Sequence, residues 1–271
     1  MIYKISRWIG LTIFSLLILI PSAMVVLGTF KTDLEIYDTP MALPIDWTLN
    51  NYRRLLDDGG ILTNFKNSIF VTSFSVLITL VLASMVSFAI ARLMNVTGKV
   101  LFVLFSLGLA IPGQVNIIPI YLLFNDLGLT NTYHGLIAVN VVATLPISVF
   151  ILTSFFKEIP NEMYEVASID GATHFRVYRD IALPLSKPAL GATSIFLFVI
   201  CWNDLLFPLL LITESAKKTL PLALLDYRGE YATSFSMIFT AVFVASIPMV
   251  VMYLVMQKSF VAGLTAGAVK G

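Results

Sequence analysis

Six apolar runs, each long enough to cross a bilayer, restrict this chain more than any other feature. They are read at about 8–30, 66–92, 100–124, 135–156, 189–213 and 236–258. In hydrocarbon every backbone N–H and C=O must be satisfied within the protein, so such runs are expected to be helices. Charged residues form only 12% of the chain, against about 25% in a soluble domain, so its main solvent is lipid. The expected fold is all-α, a single integral membrane domain over residues 1–271. Lys4 and Arg7 precede the first run as they would a signal peptide. However, Trp8 to Phe30 exceeds a typical h-region and no small-x-small site closes it, so it is read as an uncleaved span.

An even number of spans puts both termini on one side. With Arg92, the polar segments on that side carry ten basic residues: Lys4, Arg7, Arg92, Lys99, Lys157, Arg176, Arg179, Lys187, Lys258 and Lys270. The opposite side carries seven, diluted by ten acids. The positive-inside rule therefore places the termini and the 157–188 segment in the cytoplasm, and 31–65 outside. Cys201 is the only cysteine, which excludes an internal disulfide. His134 and His174 have no companion at ligand spacing, so no metal site is expected. The net charge of +1, with no basic cluster, gives no reason to expect a nucleic-acid partner.

The 157–188 segment has internal order. Pro160 breaks the preceding span, Asn161 suits an N-cap, and Glu162 and Glu165 fall in the first turns of a short helix. Met163, Val166, Ala167 and Asp170 share one face by i, i+3, i+4, i+7 spacing. Gly171 can take the left-handed conformation that ends a helix. A second short helix over about Thr173–Ile181 leads to Pro184 and Pro188, which stiffen the start of the fifth span. Helices this short are marginal alone in water, so the segment must pack against something.

Glu165-Val166-Ala167, Asp170-Gly171-Ala172 and Ile181-x-Leu183-Pro184, with Pro188, resemble the EAA loop of ABC importer permeases. The family pattern is E-A-A-x-x-D-G-A and then I-x-L-P at a set distance. The spacing from Gly171 to Pro184 matches, while Val166 stands where alanine is usual. The resemblance implies a coupling helix seated in a cleft of an ATPase subunit. In that reading Glu165 makes polar contacts, Ala167 permits close approach and Gly171 sets the turn.

Other segments resemble the second permease of maltose-type sugar importers. They are Leu127–Thr132 with Gly135-Leu136-Ile137, Trp202-Asn203-Asp204 with Phe207-Pro208, Asn51-Tyr52 after Trp47-Thr48, and Gly263–Gly271 at the C-terminus. This resemblance implies the six-span type I importer permease fold in a bacterial or archaeal plasma membrane. It also implies a heterodimer with a second permease subunit, two copies of an ABC ATPase that bind ATP and Mg, and an extracytoplasmic substrate-binding protein. No cofactor is expected on this chain. The tail, residues 259–271, is expected to be flexible, with Gly263, Thr265, Ala266 and Gly267 reaching a crevice between the ATPases.

Intramembrane polar groups are candidates for the solute path, because lipid exposure of such groups is costly. Asp204 is the only acid inside an expected span, joined by Gln114, Asn116, Asn140 and Asn203, with Tyr121 and Trp202 offering aromatic faces to a sugar. The alternative for each of them is hydrogen bonding between helices, which is common in membrane bundles. Pro112, Pro119, Pro146 and Pro208 are expected to bend spans three to five, and Ala83, Ser87 and Ala91 to mark close helix packing. Gly98-Lys99 lacks the rest of a phosphate loop, so ATP hydrolysis is assigned to another chain. Two alternatives stay open: a permease for glycerol phosphate, and a stand-alone secondary carrier, which would need ion-coupling groups at mid-membrane.

Overall fold

The computed structural model describes residues 2–57, 60–93, 95–227 and 234–268, and among them there is no β-strand. In chain order the helices are α1 (Ile2–Gly28), α2 (Asp33–Asp38), α3 (Asn50–Asp57), α4 (Gly60–Arg92), α5 (Val96–Gly108), α6 (Ile117–Asp126), α7 (Tyr133–Glu158), α8 (Asn161–Ile169), α9 (His174–Val177), α10 (Leu183–Leu185), α11 (Lys187–Trp202), α12 (Leu206–Leu211), α13 (Leu220–Ala223) and α14 (Phe235–Ala268). Among the described residues α1, α4, α7 and α14 are each long and apolar enough to cross a membrane, and bent helix pairs raise the number to as many as six.

Two expected spans are broken. The third consists of α5 and a second piece, Gly113–Asp126, bent by 80°. Pro112 stands at the bend, before a 3₁₀ turn over Gly113–Asn116. The other bent pair is His174–Leu185 with Lys187–Trp202, at 76°, and beyond it the expected fifth span is interrupted at Asn203–Leu205 between α11 and α12. Pro208 lies inside α12, just past that interruption. Pro119 falls in the first turn of α6, where its missing N–H removes no helical bond. Pro146, expected to bend the fourth span, lies inside α7, which continues through it to Glu158. The last helix overturns an expectation: α14 continues to Ala268, so residues 259–268 extend the helix rather than forming a flexible tail. Extending an existing helix avoids the nucleation cost, and a glycine in it costs only about 1 kcal/mol.

The chain divides into two units, Met1–Phe65 with Thr219–Pro248, and Lys66–Lys218 with Met249–Gly271. In the first unit Asn51 is buried, and its Nδ2 donates to the carbonyls of Thr29 at 2.9 Å and Lys31 at 2.8 Å. Tyr52 donates its hydroxyl to Thr29 Oγ1 at 2.9 Å. Phe30 packs on Trp47 and Tyr52 at 5.3 and 5.8 Å. The Asn-Tyr pair thus ties the end of α1 to α3. Asp33 accepts from Ser236 N at 2.8 Å and Ser234 Oγ at 2.9 Å, which fixes the start of α14.

In the second unit α7 packs against α5, α11 and α12. Ala83 and Ser87 of α4 are fully buried, and Ser87 Oγ donates to the Val149 carbonyl at 3.2 Å, as the small-residue spacing predicts. Thr79 and Thr144 share a hydroxyl bond of 3.1 Å. At the outer end Asn67 donates to the carbonyls of Ala216 and Lys218, each at 2.9 Å, and accepts from Tyr133 Oη at 2.9 Å. The turn after α6 holds Gly128 and Asn131 at φ 66° and 57°. Asn131 N donates to the Leu211 carbonyl at 2.6 Å, and its Oδ1 accepts from Glu214 N at 3.1 Å. That turn is therefore stitched to the end of α12.

Asn51→Ala leaves two carbonyls without their buried donor, at about 1–3 kcal/mol each. The expected outcome is a lower melting temperature of the detergent-purified protein, while Asn50→Ala, at an exposed position, leaves it unchanged.

Candidate functional site

The cytosolic segment begins where Pro160 ends α7 and α8 starts. Asn161 is the first residue of α8, not its cap; its Oδ1 instead accepts from Arg92 Nη1 at 3.0 Å. Asp170 closes α8, and Gly171 follows at φ 72°. The N–H of Ala172 donates to the Ala167 carbonyl at 2.9 Å and that of Gly171 to Ser168 at 3.1 Å. This paired closure is a Schellman motif, and it needs the left-handed residue that glycine supplies without strain.

Thr173 caps α9 by accepting from Arg176 N. The helix then widens into a π turn over Tyr178–Ala182, in which Leu183 N donates to the Tyr178 carbonyl. Pro184 explains the widening. Proline has no N–H and its ring collides with the carbonyl four residues earlier in an α-helix, and a π turn moves that carbonyl aside. Tyr178, Ala182 and Ser186, four residues apart, are all buried. Pro184 therefore acts on the shape of the backbone.

The segment is held to α4 by rings. Phe88 lies 5.3 Å from Tyr178, 6.2 Å from Tyr164 and 6.1 Å from Phe156. The Arg92 guanidinium covers the Tyr164 ring at 4.0 Å. Tyr178 Oη and Ser84 Oγ are hydrogen-bonded at 2.8 Å. Burial pushes the Tyr164 phenol pKa up, and the nearby Arg92 charge only partly opposes this, so the ring stays neutral. Arg179 pairs with Asp180 at 2.7 Å, holding that carboxyl below its usual range, but both are exposed and the pair adds little.

The face left open groups apolar side chains beside carboxylates. Met163, Val166 and Ile169 are 42%, 59% and 84% exposed, while Ala167 is buried. Glu165, Asp170 and Pro184 are exposed and Ala172 is half-buried. A groove of about 430 Å³ is lined by Glu162, Met163, Val166, Ala167, Asp170 and Ile181. The spacing expected for this helix face is thus present, with Ala167 at its floor. Tyr164, Tyr178, Phe88, Ser84 and Arg92 are the residues that sequence reasoning missed; aromatic residues inside two short cytosolic helices were the available signal.

The candidate path residues do not form one surface. Trp202 is buried and stacks on Phe198 at 5.6 Å, and Asn140 is buried within α7. Gln114 and Asn116 lie in the 3₁₀ turn of the third span, and Tyr121 is exposed on α6. Asn203 is exposed and donates to the Val199 carbonyl at 2.8 Å. Asp204 Oδ1 accepts from Leu206 N at 3.1 Å and so caps α12; its buried Oδ2 has no partner among the described residues. The two span breaks are neighbours, since a side-chain carbon on Gly113 would stand 4.0 Å from the Phe207 ring. Gly263, Thr265, Ala266 and Gly267 lie on the backbone of α14, and the side chains of Thr265 and Ala266 lie outside the described residues.

The family model for binding-protein-dependent transport system inner membrane components matches residues 80–264. A putative ABC transporter permease protein, ORF2, of Caldicellulosiruptor sp. is 36% identical over 100% of this chain and 99% of its own. The multiple sugar-binding transport system permease protein MsmG of Streptococcus mutans is 35% identical over 97% of this chain and 96% of its own. Among solved structures, a chain of a bacterial ABC transporter that imports the acidic polysaccharide alginate superposes with a TM-score of 0.85 at 22% identity, covering 96% of each chain.

Tyr178→Phe keeps the ring and removes the bond to Ser84, with an expected cost of about 1 kcal/mol. Phe88→Ala removes the hub and should cost about 3–5 kcal/mol. Thermal unfolding in detergent checks both, and equal effects would show that the ring packing does not hold the segment.

Proposed function

Because this chain belongs to the family of binding-protein-dependent transport system inner membrane components, we propose that it carries a sugar or oligosaccharide across the plasma membrane in an ATP-driven importer. Its fold is the six-span type I importer permease fold. The sugar class follows from relatives such as MsmG, whose name specifies sugar transport.

One observation carries the mechanism: a cytosolic helix whose inner face is locked to α4 and whose outer face presents Met163, Val166 and Ile169 to water. Exposed apolar side chains grouped on one face mark a contact surface. In this reading an ABC ATPase covers it, Glu165 supplies a polar contact, and two such ATPases hold ATP and Mg. Their closure displaces α8. The rings around Phe88 pass the displacement to α4, and the broken third and fifth spans yield, opening the path inward. A second permease completes the path, and an extracytoplasmic binding protein delivers solute at the outer face. Asn203, Asp204, Gln114, Asn116 and Tyr121 are the favoured solute contacts, and Trp202 and Asn140, being buried, are less so.

Glu165→Ala is expected to lower sugar uptake about tenfold, the loss of one charge-assisted hydrogen bond, with the complex still assembled. Ile169→Asp is expected to abolish co-purification of the ATPase. Transport and pull-down assays on the reconstituted importer check both, and normal behaviour of both variants would overturn the docking assignment. Removing the residues after Gly263 tests the tail: unchanged assembly and ATP turnover would exclude contact with the ATPases.

A further inference from the structure

A cavity of about 500 Å³ opens between the cytosolic ends of α4, α5 and α7 and the start of α8. Its wall carries three cations, Arg92, Lys99 and Lys157, with Phe102, Asn161 and Tyr164 between them. Among the described residues no carboxylate lines it. Two of the cations rest on aromatic faces: Arg92 lies 4.0 Å over Tyr164, and Lys157 Nζ lies 4.8 Å over Phe102. Arg92 is fixed further by its bond to Asn161.

Like charges gathered in a partly enclosed site repel one another more strongly than they would in water. A bound anion turns that cost into a gain. We propose that this cavity binds the phosphate headgroup of an anionic phospholipid from the inner leaflet. The level is right, because all three cations sit at cytosolic span ends. The surroundings favour a lipid over free phosphate. Val100, Val103, Leu104 and Leu107 are exposed along α5, which leads from the cavity into the membrane. An acyl chain can lie on that face while the headgroup stays among the cations. Basic pockets of this kind at the cytosolic interface attract anionic lipid at a useful strength per charge. Arg92 gives the site a second consequence: the lipid would touch a side chain that also covers Tyr164, so lipid charge would bear on the helix contact with α4.

The test uses the assembled importer in nanodiscs of phosphatidylcholine with phosphatidylglycerol, followed by native mass spectrometry. Wild type should retain phosphatidylglycerol. The Lys99→Gln/Lys157→Gln double variant should bind it about thirtyfold more weakly, while Lys99→Arg/Lys157→Arg should retain it. Equal retention by the glutamine variant overturns the proposal. So does displacement of the lipid by an equal concentration of inorganic phosphate, which would make free phosphate the ligand. If the glutamine variant fails to assemble, lysine acetylation on wild type decides. Labelling of Lys99 and Lys157 should slow severalfold when phosphatidylglycerol replaces part of the phosphatidylcholine, and an unchanged rate overturns the assignment.

Discussion

Phe88 is where the cytosolic segment meets the membrane part of its unit: three aromatic rings from α7, α8 and the π turn gather around it. Each ring pair contributes about 0.5–1.5 kcal/mol beyond the area it buries, and depends on angle and distance. The charged pairs on the same segment are exposed, so they fix little. A short helix with one locked face and one open face is a different object from a mobile loop. It keeps its orientation until its aromatic contacts yield, so a load on Val166 or Ile169 is borne by Tyr164 and Tyr178.

Breaks in the third and fifth spans pose the opposite problem. At membrane depth an interrupted helix exposes backbone groups that lipid cannot satisfy, so such breaks persist only inside protein or beside a cavity. Asp204 addresses this locally by accepting from the first N–H groups of α12. Gly113, at the break of the third span, lies beside Phe207 at the break of the fifth. An acid inside a span thus has a structural duty as well as a candidate part in solute recognition. Its Oδ2 is buried and has no partner among the described residues.

The spans were legible because hydrophobic length is a local property, and the turn at Gly171 because its residue type is. Asn161 misled for the same reason. Its composition suits a cap, but Arg92, sixty-nine positions earlier, claims its side chain. Tyr178 with Ser84 and Asn67 with Ala216 are likewise long-range pairs that no sequence window contains. The π turn was hidden because Pro184 reads as a stiffener, whereas its effect falls on the turn before it. At the C-terminus, glycine and alanine read as flexible, but continuation of an already formed helix outweighs their weak propensity. The path residues remained a set of types rather than a surface, since burial of Trp202 and Asn140 depends on neighbours that single positions do not reveal.

α4 runs from Gly60 to Arg92 without a proline or an interruption. Asn67 near one end carries three hydrogen bonds at the outer face, and Phe88 near the other carries the ring cluster. At 1.5 Å per residue these two anchorages stand roughly 30 Å apart, about the thickness of the hydrocarbon layer. In mechanical terms the helix is a stiff rod pinned at both ends beside members that can fold. A rod of that kind transmits thrust without absorbing it, so the outer loops at Ala216 and Lys218 are within reach of anything that moves the cytosolic segment.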